Sequence, residues 1–170
     1  FTTSQVKAFS ASTIAAFTDT QIAALTTTQV SALGATQIAG LTETNVAAMT
    51  NTQIGAITAT QIASLTATAV SGFDSAQFAS LSTTQVKALT TTQMSALNAT
   101  DISDFTNTQI AALTTTQITG LTTTNVGDLT ETQIGALSTA QVQSLSASSI
   151  SSMSDTQIAA FANTQIAALA

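Results

Sequence analysis

The chain contains no cysteine, histidine, proline, tryptophan or tyrosine, and its only cations are Lys7 and Lys87. Without His or Cys there is no zinc site of the usual kind, no haem axial pair and no thiol nucleophile. Two lysines against eight acids, a formal charge of −6, cannot neutralise a run of phosphates. That excludes nucleic acid as a partner, and electrostatic attraction to an anionic membrane with it. No window approaches the roughly 18 consecutive apolar residues of a membrane span, because Thr, Ser or Gln intervene every few residues, so no membrane insertion is expected. The lack of cysteine is neutral about redox compartment, though it suits a secreted protein.

What is present is Thr, Ala, Ser, Gln, Ile and Leu in strict order. Apolar residues make up 44% of the chain and are evenly spaced, which argues against disorder despite the low complexity. From Thr2 to Leu169 the sequence divides into 21 octads without insertion or deletion, so residues 1–170 form one continuous array. TDTQIAAL (18–25) and TNTQIAAL (106–113) stand close to the consensus. Position 5 is apolar in every octad, mostly Ile or Val, with Phe78 and Met94 as variants. Position 8 is apolar in every octad, mostly Leu, with Phe9, Phe17, Met49, Ile57, Phe73, Phe105, Met153 and Phe161 as variants. The chain starts at Phe1, in mid-octad and without an initiator Met, and is expected to be a piece of something longer.

One continuous helix cannot use this pattern. Eight residues at about 100° each leave a drift of about 80° per repeat, so the apolar stripe would wind over the whole surface. A heptad drifts only about 20° and can supercoil to compensate. The helix must therefore be interrupted in every octad, and position 1 supplies the interruption. It holds Thr or Ser, or else Asp74, Asn98 or Gly34, residues united by their preference for the N-cap; only Ala162 departs. Position 4, three residues on, is Gln in 15 of 21 octads, the spacing of a capping box. Asp19, Glu43, Asp74, Asp101, Glu131 and Asp155 all lie at the cap or in the first turn, where the helix dipole favours a negative charge. The prediction is an all-α solenoid of very short capped helices, one per octad, forming an elongated superhelical rod. Its core is Ile/Val from position 5 and Leu/Phe from position 8, and small residues at positions 6 and 7 let the helices approach closely.

Several rare residues recur at one spacing: Lys7 and Lys87, Gly40 and Gly120, Asn45 and Asn125, Gly55 and Gly135, each 80 residues apart. This fits either a duplicated ten-octad block or a superhelix that returns to the same face.

No residue is assigned a catalytic, cofactor-binding or metal-binding role. Ser and Thr are abundant but have no His beside them and only scattered carboxylates as bases. Asp104 and Asp128, at position 7, lie outside any clustered calcium loop and are expected as surface carboxylates. Lys7 and Lys87 are expected on a solvated face. The recurrent Thr-x-Thr element admits a second reading, a threonine ladder binding ice or glycans on a flat β-solenoid. Against it, Gln-Ile-Ala-Ala-Leu favours helix and no segment alternates as a strand does.

TTTQVSAL (26–33) and STTQVKALTTTQMSAL (82–97) resemble the octapeptide arrays of very large secreted or surface proteins of proteobacteria. The resemblance covers the whole chain, although SASTIAAF (10–17) and SASSISSM (146–153) lose the Gln. It implies a place in adhesins or extracellular matrix, without enzymatic activity or cofactor. The expected partner is the chain itself, head-to-tail or within one long polypeptide, with surfaces or matrix glycans as further contacts.

Overall fold

A single octad shows how the chain folds. In 82–89, the Ser82 hydroxyl accepts the backbone N–H of Gln85 at 3.2 Å and starts a helix. The Val86 N–H donates to the Ser82 carbonyl at 2.9 Å, and the Leu89 N–H donates to the Val86 carbonyl at 3.2 Å. Leu89 itself has left helical geometry (φ −59°, ψ 130°), and the next cap, Thr90, is extended at ψ 159°. The chain thus turns with two adjacent extended residues. Among the described residues none adopts a positive φ, so no turn there depends on glycine.

The computed structural model describes residues 1–169, and every octad among them repeats these backbone bonds, although Gly34 and Ala162 cap without a side-chain hydrogen bond. There are 21 α-helices of four to six residues, from α1 (Thr3–Ala8) to α21 (Asn163–Ala167), and no strand among the described residues. The expectation of a solenoid of short capped helices is met. Each helix packs on the third one after it: α2 (Ala11–Ala15) on α5 (Ala35–Ala39), α5 on α8 (Ala59–Ser64), α8 on α11 (Thr83–Ala88), α11 on α14 (Asn107–Ala112). Side-chain bonds between turns connect residues 28 and 31 apart. A turn therefore takes about three and a half octads, and the described residues make about six turns. Ten octads come back near the same face after almost three turns, which is compatible with the second reading of the recurrences at 80 residues and leaves the duplicated block equally open.

The core is one continuous column of position-5 and position-8 side chains from Val6 to Phe161, with Phe78 and most of the isoleucines fully enclosed. In the last described turn Ile158, Ile166 and Leu169 are exposed at 37%, 45% and 40%. The accessible surface, 7547 Å², is close to the roughly 7,750 Å² expected of a globular monomer of 17.1 kDa, so the stacked turns bury as much as an ordinary domain.

The two small positions are not equivalent, contrary to expectation. At position 7, a Cβ on Gly40 would lie 2.8 Å from Ala11, and one on Gly72 would lie 2.7 Å from the Glu43 carbonyl. At position 6, Gly55 meets nothing within 4 Å. Close approach between turns is made by position 7.

Candidate functional site

The element that recurs through the interior is the position-4 amide. The capping box accounts for only half of what it does. The Gln85 Oε1 accepts the Ser82 N–H at 2.8 Å and the Ser82 hydroxyl at 2.9 Å. Its Nε2 donates to the carbonyls of Ile54 and Ile57, both at 2.8 Å, one turn earlier. Two donated protons and two accepted ones leave this buried amide fully satisfied, which its burial requires. The same four-point arrangement holds at Gln109 and Gln117. Gln61, Gln93 and Gln141 keep both inter-turn bonds and accept the cap N–H. Where the cap has no side-chain oxygen, at Gly34 and Ala162, the backbone half of the box survives and Gln37 and Gln165 still reach the earlier turn. Nothing local signals this second role, since the acceptors lie three and a half octads away.

Shorter residues at position 4 bind less. Asn45 and Asn125 reach only one carbonyl each, Phe17 at 3.1 Å and Leu97 at 2.8 Å. Asp101 is 4% exposed and accepts the Asn98 N–H at 3.0 Å. The dipole argument placed it favourably, but burial dominates. Desolvation pushes its carboxyl above the ordinary 3.8, the nearby Asp104 charge adds to this, and hydrogen bonding from Asn98 opposes it.

The remaining sequence candidates are dispersed. Lys7 and Lys87 are exposed, as expected. Asp104 and Asp128 are half-buried, which the surface reading did not anticipate. Asp104 Oδ2 accepts the Ser75 hydroxyl at 2.8 Å across a turn boundary, and Asp128 Oδ2 is enclosed without a hydrogen-bond partner. Position-1 hydroxyls are used by the caps, while Thr20, Thr28, Thr44 and Thr52 at position 3 lie on the surface. Between turns run shallow grooves, one of about 510 Å³ lined by Asp19, Thr20, Ala23, Thr44, Ala47 and Ala48. Among the described residues no three His, Cys, Asp or Glu side chains are grouped so as to hold a metal ion, and no helix is long and apolar enough to cross a membrane.

Fold and side-chain pattern together define a short-helix repeat solenoid, whose recurrent glutamine geometry joins one turn to the next. The chain is similar to the ALTTAQ repeat over residues 1–35 and 70–99, which supports a repeat array. Neither the curated proteins nor the solved structures compared with it include a match.

Proposed function

We propose that the chain is a structural segment, a stretch of solenoid serving as an extracellular bacterial fibre or as the stalk of a large adhesin. The observation that carries this reading is the one-way complementarity of the turns. Each interior turn offers glutamine N–H donors to the turn before it and carbonyl acceptors at positions 5 and 8 to the turn after it. Such a surface is heterologous, and a heterologous contact that does not close into a ring propagates. Continuation by further octads of one polypeptide and stacking of separate subunits would use the same bonds. The octapeptide resemblance supports the setting outside the cell, and self-association makes the chain its own first partner. Matrix glycans or other surfaces would meet the exposed threonines. Electron microscopy of the native material is the test, combined with labelling of intact cells by antibody to this segment. Unbranched rods on the cell surface are expected. A compact particle, or antigen reached only after the cells are opened, would remove the proposal.

A further inference from the structure

Six octads lack glutamine at position 4. They begin at Ser10, Thr42, Thr66, Asn98, Thr122 and Ser146, at intervals of four, three, four, three and three octads. That averages close to one turn, so they stand above one another along one edge. Packing joins them at the three-octad steps: α6 (Glu43–Ala47) lies on α9 (Ala67–Val70), α13 (Ala99–Asp104) on α16 (Thr123–Gly127), and α16 on α19 (Ala147–Ser151), while at the four-octad steps α2 lies on α5 and α9 on α12 (Thr91–Ser95), each one octad short of the next.

Position 8 changes in step. Five of these six octads end in Phe17, Met49, Phe73, Phe105 or Met153, whereas 12 of the 15 glutamine octads end in Leu. Where position 4 is short, Phe or Met takes the place of Leu at position 8 in every octad but that of Asn125, which keeps Leu129. Phe73 and Phe105 both meet Phe78 edge-on, at 5.4 and 5.3 Å between ring centres. The fill replaces volume but not hydrogen bonds. The carbonyls of Leu41, Phe73 and Leu121, which a glutamine at 69, 101 or 149 would reach, receive no side-chain donor among the described residues.

The charges follow the same line. Subtracting whole turns of 28 residues from the numbers of all eight acids leaves values between 15 and 20. The two lysines reduce to 7 and 3, on the far side. Contacts bear this out, since Glu43 abuts Gly72, next but one to Asp74, and Ser75 bonds Asp104. Each acid lies in one of the six octads or in the octad just after it.

We infer that this edge is a seam along which successive turns part first, and that its carboxylates set how tightly it closes. The opposite edge keeps its paired glutamine bonds and acts as the hinge, so parting bends the rod without breaking it. Turns stacked about 8–10 Å apart bring the acids of neighbouring turns within about a Debye length at physiological salt. Their repulsion is therefore felt, and added salt weakens it. The titratable groups on the seam are the eight acids alone.

Amide hydrogen exchange on the full chain tests this, because it reports local opening octad by octad. At low salt, the amides of Val70, Phe73, Ile102 and Phe105 should exchange about five- to thirty-fold faster than those of Ile62, Leu65, Val86 and Leu89, which lie equally deep in the stack. High salt should narrow that ratio. Ala69→Gln combined with Phe73→Leu rebuilds a glutamine octad and should bring residues 70 and 73 to the rate of their neighbours. Equal exchange on both edges of the unaltered chain would overturn the seam, whether or not the double variant folds. A ratio unmoved by salt would overturn the role of the carboxylates.

Discussion

Octads 66–73 and 82–89 are separated by a single octad and begin in the same way, with a hydroxyl cap holding the position-4 N–H at 3.1 and 3.2 Å. Both bury valine at position 5 and an apolar residue at position 8. They differ in how they hold the turn before them. Gln85 donates to two carbonyls, while Ala69 donates to none and leaves the corner to Phe73 and Gly72. Both solutions fill space, but only the first is directional. Apolar burial tolerates sliding of one turn over another, whereas a fixed pair of N–H···O bonds selects one register. The glutamine edge sets the pitch of the solenoid, and the aromatic edge supplies bulk.

The largest effect is expected where the directional contact is turned against itself. Gln85→Glu keeps the shape, removes both donated protons and places a charge against the carbonyls of Ile54 and Ile57. Leaving a buried charge uncompensated costs about 3–5 kcal/mol. Urea denaturation at neutral pH, followed by circular dichroism, should show a loss of that size, and Gln85→Leu should lose less because no charge is buried. If Glu and Leu proved equal, the amide protons would not be what holds the turn.

Next in size is a pair of glycine replacements that separates contact between turns from intrinsic propensity. Gly72→Ala drives a methyl group against the Glu43 backbone and should cost about 1–3 kcal/mol. Gly55→Ala, inside the helix Asn51–Ala56 with open space around it, should stabilise by about 0.4–1 kcal/mol. Thermal melting of the two variants should move in opposite directions.

Smaller again are the caps, which both edges share. Thr58 and Thr114 accept the N–H groups of Gln61 and Gln117 at 3.3 and 3.2 Å. Each change to Ala should cost about 1 kcal/mol. The two caps lie two turns apart with no common partner, so the double variant should lose the sum within about 0.5 kcal/mol. A marked excess would mean that distant turns melt as one unit.

How much of this was legible depends on whether a signal is local. The caps, the first-turn acids and the two apolar positions were legible because their partners lie within four residues, at spacings that helix geometry dictates. The second half of each glutamine was not, since Ile54 and Ile57 are remote from Gln85 in sequence and the turn length appears in no single octad. That length was nevertheless written into the chain twice, in the spacing of the octads that lack glutamine and in the spacing of the acids. Asp101 was misjudged for the same reason. The dipole of its own helix is a local matter, while the burial that outweighs it comes from neighbouring turns.

Asp101 also offers the finest comparison between the edges, because one substitution moves its octad toward the other kind. Its folded-state carboxyl is raised above 3.8 chiefly by burial, with Asp104 adding to the effect. A group that holds its proton more tightly when folded destabilises the fold while ionised. The penalty is complete above the raised value, is relieved as the pH falls through it, and has vanished below the ordinary 3.8 of the unfolded chain. Within that window this residue makes stability rise on acidification, the reverse of a paired carboxylate. Asp101→Asn removes the titration. It also supplies an N–H donor placed like that of Asn125, which bonds the Leu97 carbonyl 28 residues earlier; the matching acceptor here is Phe73. The variant should be more stable than the parent at neutral pH, and as the pH falls below the ordinary carboxylate value the margin should shrink to what the added hydrogen bond contributes. Urea midpoints measured in parallel across that range isolate the contribution, because the other seven acids are common to both proteins. A constant difference at every pH would mean that the Asp101 charge is already accommodated, and that hydrogen bonding alone separates the two edges at this turn.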